Sequence, residues 1–429
     1  MAWNADMDLP VGQIPPQDWM EQASTRQVIA ALTAEGAEVR FVGGCVRDAV
    51  LKRPIRDIDI ATHEPPERVM ALLRQAGILV VPTGLAHGTV TAIVEGEHFE
   101  ITTLRCDIET YGRHAKVAFT SDWAEDAARR DFTMNALFCD TQGHIYDPFD
   151  GLQDLGKGRV RFVGNARDRV EEDVLRLLRF FRFQAHYGTP PADPAALDAC
   201  RHFAHRLPEL SGERVAGELI KLLQAPDPAS VLLLMDGLHV LDYILPEAQD
   251  FGRLRLLSWL ETRALVLPGL SADPLRRLAA VLRTDQEGAA EVAQRLRLSN
   301  SQTDRLVALA AAETLPDPTL SSTERRRWLQ RDGAERFRDL ALLSWAAHKS
   351  LTPRPLPGET ESWSQLLAEA DLWQPVAFPL KGRDALGLGI PSGRRMGEML
   401  NAVEAWWEAA DYRPDHAQCL EHLRHLAQR

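Results

Sequence analysis

The chain has 429 residues, of which 45% are hydrophobic and 26% are charged, and its formal net charge is −12. This length and composition are typical of a globular protein of two to four domains, and no run of about 18 apolar residues predicts a membrane-spanning helix. The negative charge argues against indiscriminate nucleic-acid binding but is compatible with a local basic groove.

The amino-terminal segment MAWNADMDLPVGQIPP lacks the basic start and the apolar run of a secretory signal peptide, so the sequence predicts a cytoplasmic protein with no membrane partner. Five cysteines are scattered without a Cys-x-x-Cys pair. This spacing predicts reduced, mostly buried thiols instead of a zinc site or a disulfide framework. The sequence carries no signal for an oligomeric state.

Strand-forming and helix-forming stretches alternate in the first 150 residues, as expected of a mixed α/β region. The β-branched runs are EVRFVGG, DIDIAT, TVTAIVEG, HFEITTL and HIYDPFDG. From Ala166 onward strands nearly vanish, and Leu, Ala and Arg recur at helical spacing between breaks rich in Pro and Gly. The sequence therefore predicts an α+β fold, with a small mixed sheet followed by a long all-helical part.

The segment FVGGCVRDAVL reads as a strand, a Gly-Gly turn and a helix. The backbone amides of Gly43 and Gly44 can approach an anion closely in such a turn. Arg47, about one helical turn beyond Gly44, would add the fixed charge that a triphosphate requires. Most Gly-Gly pairs are simply turns, and Arg47 could equally form a surface ion pair, so both alternatives stay open.

In the strand-like stretch DIDI, side-chain alternation puts Asp57 and Asp59 on one face, roughly 6.6 Å apart along the strand. Two such carboxylates repel each other unless a cation lies between them, and oxygen ligands of this kind suit Mg²⁺. With 61 acidic residues in the chain, about nine acid-x-acid triplets are expected by chance, so two solvated charges are the alternative.

A third acid, Glu100, lies in the stretch HFEITTLR and faces away from Phe99 and Ile101. On a strand next to the two aspartates, it could complete a cage for two cations about 3.5–4 Å apart. The alternatives are an ion pair with Arg105 or an exposed position on an edge strand.

A helix is predicted from about Asp168 onward, with apolar and charged residues on different sides when 100° is taken per residue. The apolar side consists of Val170, Val174, Leu177, Leu178 and Phe181. The charged side consists of Glu172, Arg176 and Arg179, with Asp173 at its border. A solvated face of ion pairs three and four residues apart is the ordinary alternative.

Five ordered segments resemble the family of class II CCA-adding enzymes and bacterial poly(A) polymerases. They are FVGGCVRD…RDIDIAT, FEITTLRCDIETYGRHAKVAFT, AARRDFTMNAL, YDPFDGLQDLGKGRVRFVG and EEDVLRLLRFFRF. The strong similarity runs from about Phe41 to Gly188, SGERVAGELIKLL at Ser211–Leu223 is also similar, and the resemblance fades beyond Leu223. A chance match to five motifs in the same order is far rarer than a chance match to any one of them.

The resemblance implies a nucleotidyltransferase head with a polymerase-β-like sheet, followed by a helical neck, body and tail. The implied divisions are an amino-terminal extension at 1–25, the catalytic head at 26–150, the neck with nucleotide-base recognition at 151–223, the body at 224–351, and a tail with expected tRNA contacts at 352–429.

The resemblance also implies roles for single residues. Asp57 and Asp59 match the magnesium-binding carboxylates, and Glu100 matches the third acid of the catalytic sheet. The remaining residues match nucleotide contacts: the triphosphate turn of Gly43, Gly44 and Arg47, the nucleotide-contacting Arg130, the ribose motif of Asp131 and Asn135, the base-reading Asp173 and Arg176, and Arg179. A capping or core-supporting role is the alternative for Arg130, Asp131 and Asn135, above all for Asp131.

The implied reaction is template-independent addition of C, C and A to the 3′ end of tRNA from CTP and ATP, with Mg²⁺ as cofactor. The segment Cys106–Phe119 looks complete, which favours a switch from C to A, and the mixed charge of the carboxyl terminus favours CCA addition over poly(A) synthesis. Two alternatives stay open: a poly(A) polymerase, and a non-catalytic RNA-binding factor built on an inactive head.

Overall fold

The computed structural model describes residues 9–111, 114–264, 270–352, 354 and 356–428, and of 107–111 and 114–117 it describes the backbone alone. Its described part forms two compact units, Met1–Pro246 and Glu247–Arg429. The predicted order, a mixed sheet followed by helices, is confirmed. The finer division into head, neck, body and tail stays a prediction.

The first unit contains an eight-stranded mixed sheet in the order β1-β10-β9-β2-β3-β6-β5-β4 and a separate hairpin of β7 and β8. The strands are β1 Gly12–Gln13, β2 Val39–Val42, β3 Ile58–Thr62, β4 Leu79–Gly84, β5 Thr89–Val94, β6 Glu97–Thr103, β7 Arg105–Tyr111, β8 His114–Phe119, β9 Phe138–Cys139 and β10 His144–Tyr146. Strands β3 and β6 are parallel neighbours, whereas β2 and β3 are antiparallel. The sheet thus places β3 next to both β2 and β6.

Helices of the first unit pack against the sheet and continue beyond it. They are α1 Asp18–Glu21, α2 Ala23–Thr33, α3 Gly44–Val50, α4 Pro66–Gln75, α5 Trp123–Ala128, α6 Gly151–Gly156, α7 Ala166–Glu172, α8 Leu175–Tyr187, α9 Pro194–Phe203, α10 Gly212–Leu223 and α11 Pro228–Gly237. Short 3₁₀ turns add Leu85–His87, Thr133–Asn135, Ala204–Glu209 and Leu241–Tyr243. Phe99 and Ile101 are buried and Glu100 between them is exposed, as their alternation predicted.

The regular elements of the second unit are all helices within its described residues. Its helices are α12 Phe251–Trp259, a π-helical turn at Leu260–Ala264, α13 Pro274–Val281, α14 Gln286–Arg295, α15 Asn300–Ala310, α16 Ser322–Leu351, α17 Glu359–Leu372, α18 Gly382–Gly387, α19 Arg394–Ala409 and α20 His416–Ala427. Gly333 interrupts α16 with a φ of 79°, so two helices meet there at a kink. None of the helices described in either unit is long and apolar enough to cross a membrane.

The boundary after residue 25 stays a prediction, although β1 pairs with β10 and α2 begins at Ala23. One detail of the sequence prediction was wrong. The helix predicted from Asp168 is two helices, α7 and α8, because the backbone of Asp173 is extended, with a φ of −148° and a ψ of 106°. The five apolar residues of the predicted helix are nevertheless all buried.

The prediction of reduced thiols is confirmed. All five cysteines are free, and four of them are buried. Burial, together with the charge of Asp59, raises the pKa of Cys45 to about 12, so its thiol stays protonated and unreactive.

Candidate active site

A cavity of about 460 Å³ in the first unit lies between the turn after β2 and the start of α8. Every residue predicted to bind nucleotide lines it: Gly43, Gly44, Arg47, Arg130, Asp131, Asn135, Asp173, Arg176 and Arg179. Asp59 also lines this cavity, whereas Asp57 and Glu100 do not. Residues from sequence positions 43 to 183 therefore converge on one polar pocket, although their individual roles stay predictions.

The acidic end of the site is built by the parallel pairing of β3 and β6, in which Asp59 lies directly opposite Glu100. This neighbouring-strand arrangement is the one expected from the sequence. Asp57, however, precedes β3, which begins at Ile58, and its side chain is exposed. Glu100 is also exposed, but on an inner strand and not at an edge.

The environment of Asp59 disfavours its charge. Burial and the neighbouring charges of Glu100 and Asp57 raise the pKa of Asp59 to about 6, while Arg130 and Arg47 act in the opposite direction. A divalent cation would relieve this repulsion, and carboxylate oxygens are suitable ligands for one. Within the described ranges, no three His, Cys, Asp or Glu side chains are close enough to form a metal-binding group, and the cage of Asp57, Asp59 and Glu100 stays a prediction.

The Gly-Gly turn keeps the cavity open between the aspartate and the basic side chains. Gly43 has a φ of +73°, and a Cβ there would lie 3.5 Å from Nη1 of Arg130 and 4.0 Å from Oδ2 of Asp59. A larger residue would therefore be strained and would fill the space between the two groups. The amide of Gly43 donates to the carbonyl of Leu137 at 3.1 Å, so it is already engaged within the protein.

Arg47 is buried, but it keeps an acidic partner. Its Nε and Nη2 donate to the Asp48 carboxylate at 3.0 and 2.8 Å, and its Nη1 donates to Oδ1 of Asn135 at 2.7 Å. The ion pair considered from the sequence therefore exists, but Arg47 is only 7% exposed and borders the cavity. These fixed contacts orient its guanidinium before any anion arrives.

Asn135, Asp131 and Arg179 extend this network across the cavity wall. The Asn135 side-chain amide donates to Oδ1 of Asp131 at 3.0 Å, and Nε of Arg179 donates to Oδ2 of Asp131 at 2.8 Å. Arg179 belongs to α8 and Arg47 to α3. A continuous set of hydrogen bonds thus connects the triphosphate turn to the helix expected to read the base. Asp131 both supports its neighbours in this network and lines the cavity.

Acid should weaken this network through Asp131. Burial alone would raise the pKa of Asp131, but Arg179 and the hydrogen bond from Asn135 lower it to about 2, below its ordinary value of 3.8. A lowered folded-state pKa stabilises the protein above about pH 4, here by about 2 kcal/mol, and the contribution disappears as pH falls toward 2. We expect Asp131→Asn to lower the free energy of unfolding by about this amount at pH 7 and by roughly half as much at pH 3. Urea unfolding at the two pH values measures it, and an equal difference at both would contradict the assignment.

Supporting residues that the sequence analysis missed surround Arg130. Its Nη2 donates to Oδ2 of Asp126 at 2.8 Å, and Arg129 donates to the other oxygen of the same carboxylate at 2.6 Å. Arg169, buried on α7, donates to the main-chain carbonyls of Arg129 and Arg130. Asp126 thus holds the cations near the cavity, and Arg169 fixes the backbone that carries them.

The base-reading end of the site is built around the break between α7 and α8. One Asp173 oxygen accepts a hydrogen bond from the amide of Leu175 at 3.1 Å, and Nη2 of Arg214 lies 3.1 and 2.9 Å from the two oxygens. Arg176 donates to the carbonyl of Arg169 at 3.0 Å and to the carboxylate of Glu172. Both side chains are therefore held in place, and Arg214, in the segment SGERV, is a further functional candidate that the sequence analysis did not single out.

Two known protein families match segments of this chain. The family described as the poly A polymerase head domain matches residues 39–161. The family described as a probable RNA and SrmB-binding site of polymerase A matches residues 193–251.

Full-length relatives are similar over most of the chain. The mitochondrial CCA tRNA nucleotidyltransferase 1 of Danio rerio is 34% identical over 393 residues, which cover 90% of this chain and 87% of the relative. The same enzyme of Homo sapiens is 33% identical over 395 residues, covering 91% and 87%.

Two solved structures are also similar. The Bacillus stearothermophilus CCA-adding enzyme in complex with CTP is 27% identical with a TM-score of 0.74, covering 95% of this chain and 98% of that one. The Thermotoga maritima CCA-adding enzyme complexed with tRNA CCA is 18% identical with a TM-score of 0.59, covering 97% of both chains, and it shows a shared fold.

Proposed function

This chain belongs to the family of CCA tRNA nucleotidyltransferases, and we propose on that basis that it adds C, C and A in turn to the 3′ end of tRNA from CTP and ATP. The observation that supports this most strongly is the single cavity in which Asp59, the Gly-Gly turn and the residues around Asp173 meet. Such a cavity can hold a nucleoside triphosphate with its phosphates toward the acidic strand and its base toward α8.

In the proposed reaction, the 3′-hydroxyl oxygen of the RNA forms a bond to the α-phosphorus of the nucleotide. The bond between the α-phosphorus and the bridging oxygen breaks, and pyrophosphate leaves. Asp57 and Asp59 would hold Mg²⁺, which when bound supplies Lewis-acid stabilisation of the attacking and leaving oxygens. Glu100 assists this acidic site or removal of the hydroxyl proton, and Arg47 stabilises charge on the triphosphate.

Asp173 and Arg176 supply the proposed base recognition. A carboxylate accepts a hydrogen bond from the exocyclic amino group that both cytosine and adenine carry, and a guanidinium donates to a ring nitrogen or carbonyl. Uracil and guanine present the wrong groups to this pair. The ion pair between Arg214 and Asp173 orients the carboxylate, so the protein takes the place of a nucleic-acid template.

Product sequencing tests the proposal. Purified protein is incubated with Mg²⁺ and a tRNA transcript that lacks its three terminal nucleotides, with CTP and ATP separately and together. We expect CTP alone to give two added residues, and both nucleotides to give CCA and then a stop. Long A tails would instead indicate a poly(A) polymerase. If no extension occurs that Asp57→Ala and Asp59→Ala can abolish, the chain has a binding role only.

RNA contacts by residues 352–429 and a cytoplasmic location are further parts of the proposal. In the second unit, Arg325 pairs with Glu369 at 2.8 Å and Arg326 pairs with Asp411, so these cations support helix packing. Arg395 in the segment GIPSGRRMGEML is exposed, as a contact to the RNA backbone requires.

The two relatives compared above are mitochondrial by name, so the location of this protein is best tested directly by fractionation.

A further inference from the structure

A basic loop connects the triphosphate turn to the catalytic strand. It comprises Lys52–Arg56, follows α3 and leads directly into Asp57. Lys52, Arg53 and Arg56 are all exposed, in a chain whose formal net charge is −12. Three cations within five residues therefore form a local positive surface beside the acidic site.

The loop is anchored to α8 through one of its three cations. Nη2 of Arg53 donates to the main-chain carbonyl of His186 at 3.0 Å, and its guanidinium carbon lies 4.5 Å from the ring centre of Tyr187. The guanidinium of Arg47 lies 4.2 Å from the same ring. Arg53 thus fixes the loop next to α8, which forms part of the cavity wall.

The other two cations are left for an external partner. Within the part of the chain that the structure describes, neither Lys52 nor Arg56 has a carboxylate within ion-pair distance. Lys52 has a φ of 54°, in the left-handed region that residues with a Cβ disfavour and that helix-ending glycines usually occupy.

We propose that Lys52 and Arg56 bind phosphates of the RNA strand whose 3′ end is being extended. This inference rests on the proposed function, because it assumes that an RNA 3′-hydroxyl reaches Asp57 and Asp59. Arg56 directly precedes Asp57 and is exposed, so it lies near the end of such a strand. The incoming triphosphate is not the occupant, because Lys52 and Arg56 do not line the nucleotide cavity, whereas Arg47 does.

Contacts of this type suit an enzyme that must act on many RNAs. Lysine and arginine contacts to phosphate fix the position of a strand without reading its sequence, and they release counterions, so binding weakens as salt rises. Each lost phosphate contact reduces the slope of log affinity against log salt by about 0.7 to 1. The loop would therefore affect RNA affinity and its salt dependence, with no effect on the choice between CTP and ATP.

Steady-state kinetics on the truncated tRNA test this inference. Lys52→Gln, Arg56→Gln and the double variant are compared with the wild type at several KCl concentrations. We expect the double variant to raise KM for the RNA about tenfold near physiological salt and to leave KM for CTP unchanged. The slope of log KM for the RNA against log salt is expected to decrease by about one to two. Arg56→Lys keeps the charge and is expected to retain most of the affinity.

Arg74→Gln is the matched control, because Arg74 is an exposed cation of the same unit, lies on α4 and does not line the cavity. It is expected to leave both KM values unchanged. Unchanged KM and salt dependence for the RNA in the folded double variant would overturn the inference, and so would an increase confined to KM for CTP. A wild-type protein that fails to extend tRNA would instead overturn the proposed function, so the two failures are distinguishable.

Discussion

Replacing Asp59 with Asn is expected to reduce nucleotide addition at least about a thousandfold and, in the absence of divalent cations, to make the protein more stable. The loss of activity follows because Asp59 is the carboxylate that both borders the cavity and lies opposite Glu100. An amide at this position keeps the shape of the side chain but removes the charge that would hold a cation at the α-phosphate.

The gain in stability follows from the raised pKa of Asp59. Burial and the charges of Glu100 and Asp57 raise it from 3.8 to about 6, so the folded protein holds this proton more tightly than the unfolded chain. The fold is consequently most stable below about pH 4 with respect to this group, and that advantage is lost as pH rises through 6. At pH 8 the charged form costs up to about 3 kcal/mol, which Asn would avoid.

Thermal unfolding in EDTA at pH 8 and at pH 5, together with single-turnover CCA addition, measures both effects. Asp168→Asn is the matched control, because Asp168 is exposed on α7 and outside the cavity. Retention of a tenth of wild-type activity by Asp59→Asn, or a lower melting temperature than the wild type at pH 8 in EDTA, would contradict the role assigned to this carboxylate.

Local patterns predicted the centre of the site well. The Gly-Gly turn lies between β2 and α3 as expected, because a strand followed by glycines and then by helix formers leaves few alternative geometries. Glu100 faces away from Phe99 and Ile101 because strand alternation alone decides that. The opposition of Glu100 and Asp59 needed strand pairing as well, and the resemblance to known enzymes supplied it.

Features that depend on tertiary contacts escaped the sequence. The periodicity from Val170 to Phe181 is compatible with one helix, yet Asp173 breaks it, because its carboxylate bonds to the amide of Leu175 and to Arg214. Arg214 is 41 residues away along the chain, so no local pattern links it to Asp173. Asp57 likewise lies just outside β3, since the pairing with β6 begins at Ile58.

Replacing Asp173 with Ala is expected to lower discrimination between CTP and UTP by about 10- to 100-fold. The estimate comes from a base-edge hydrogen-bond pair, which contributes about 1–3 kcal/mol of selectivity. The amino group of cytosine would lose its acceptor. The carboxylate that repels the uracil oxygen would also be gone, and the Arg214 guanidinium that remains does not repel that oxygen. The ratio of kcat/KM for CTP to that for UTP, measured on tRNA lacking its three terminal nucleotides, gives the effect directly.

Two further variants separate base reading from folding. Asp198→Ala removes an exposed ion pair with Arg167 outside the cavity, so it is expected to leave the CTP to UTP ratio unchanged. Arg214→Lys keeps a positive charge but removes the planar guanidinium whose Nη2 contacts both Asp173 oxygens, so selectivity should fall by less than in Asp173→Ala. If Asp173→Ala retained wild-type selectivity while Arg214→Lys lost it, the base would be read by Arg214, and Asp173 would neither read the base nor be needed to position that guanidinium.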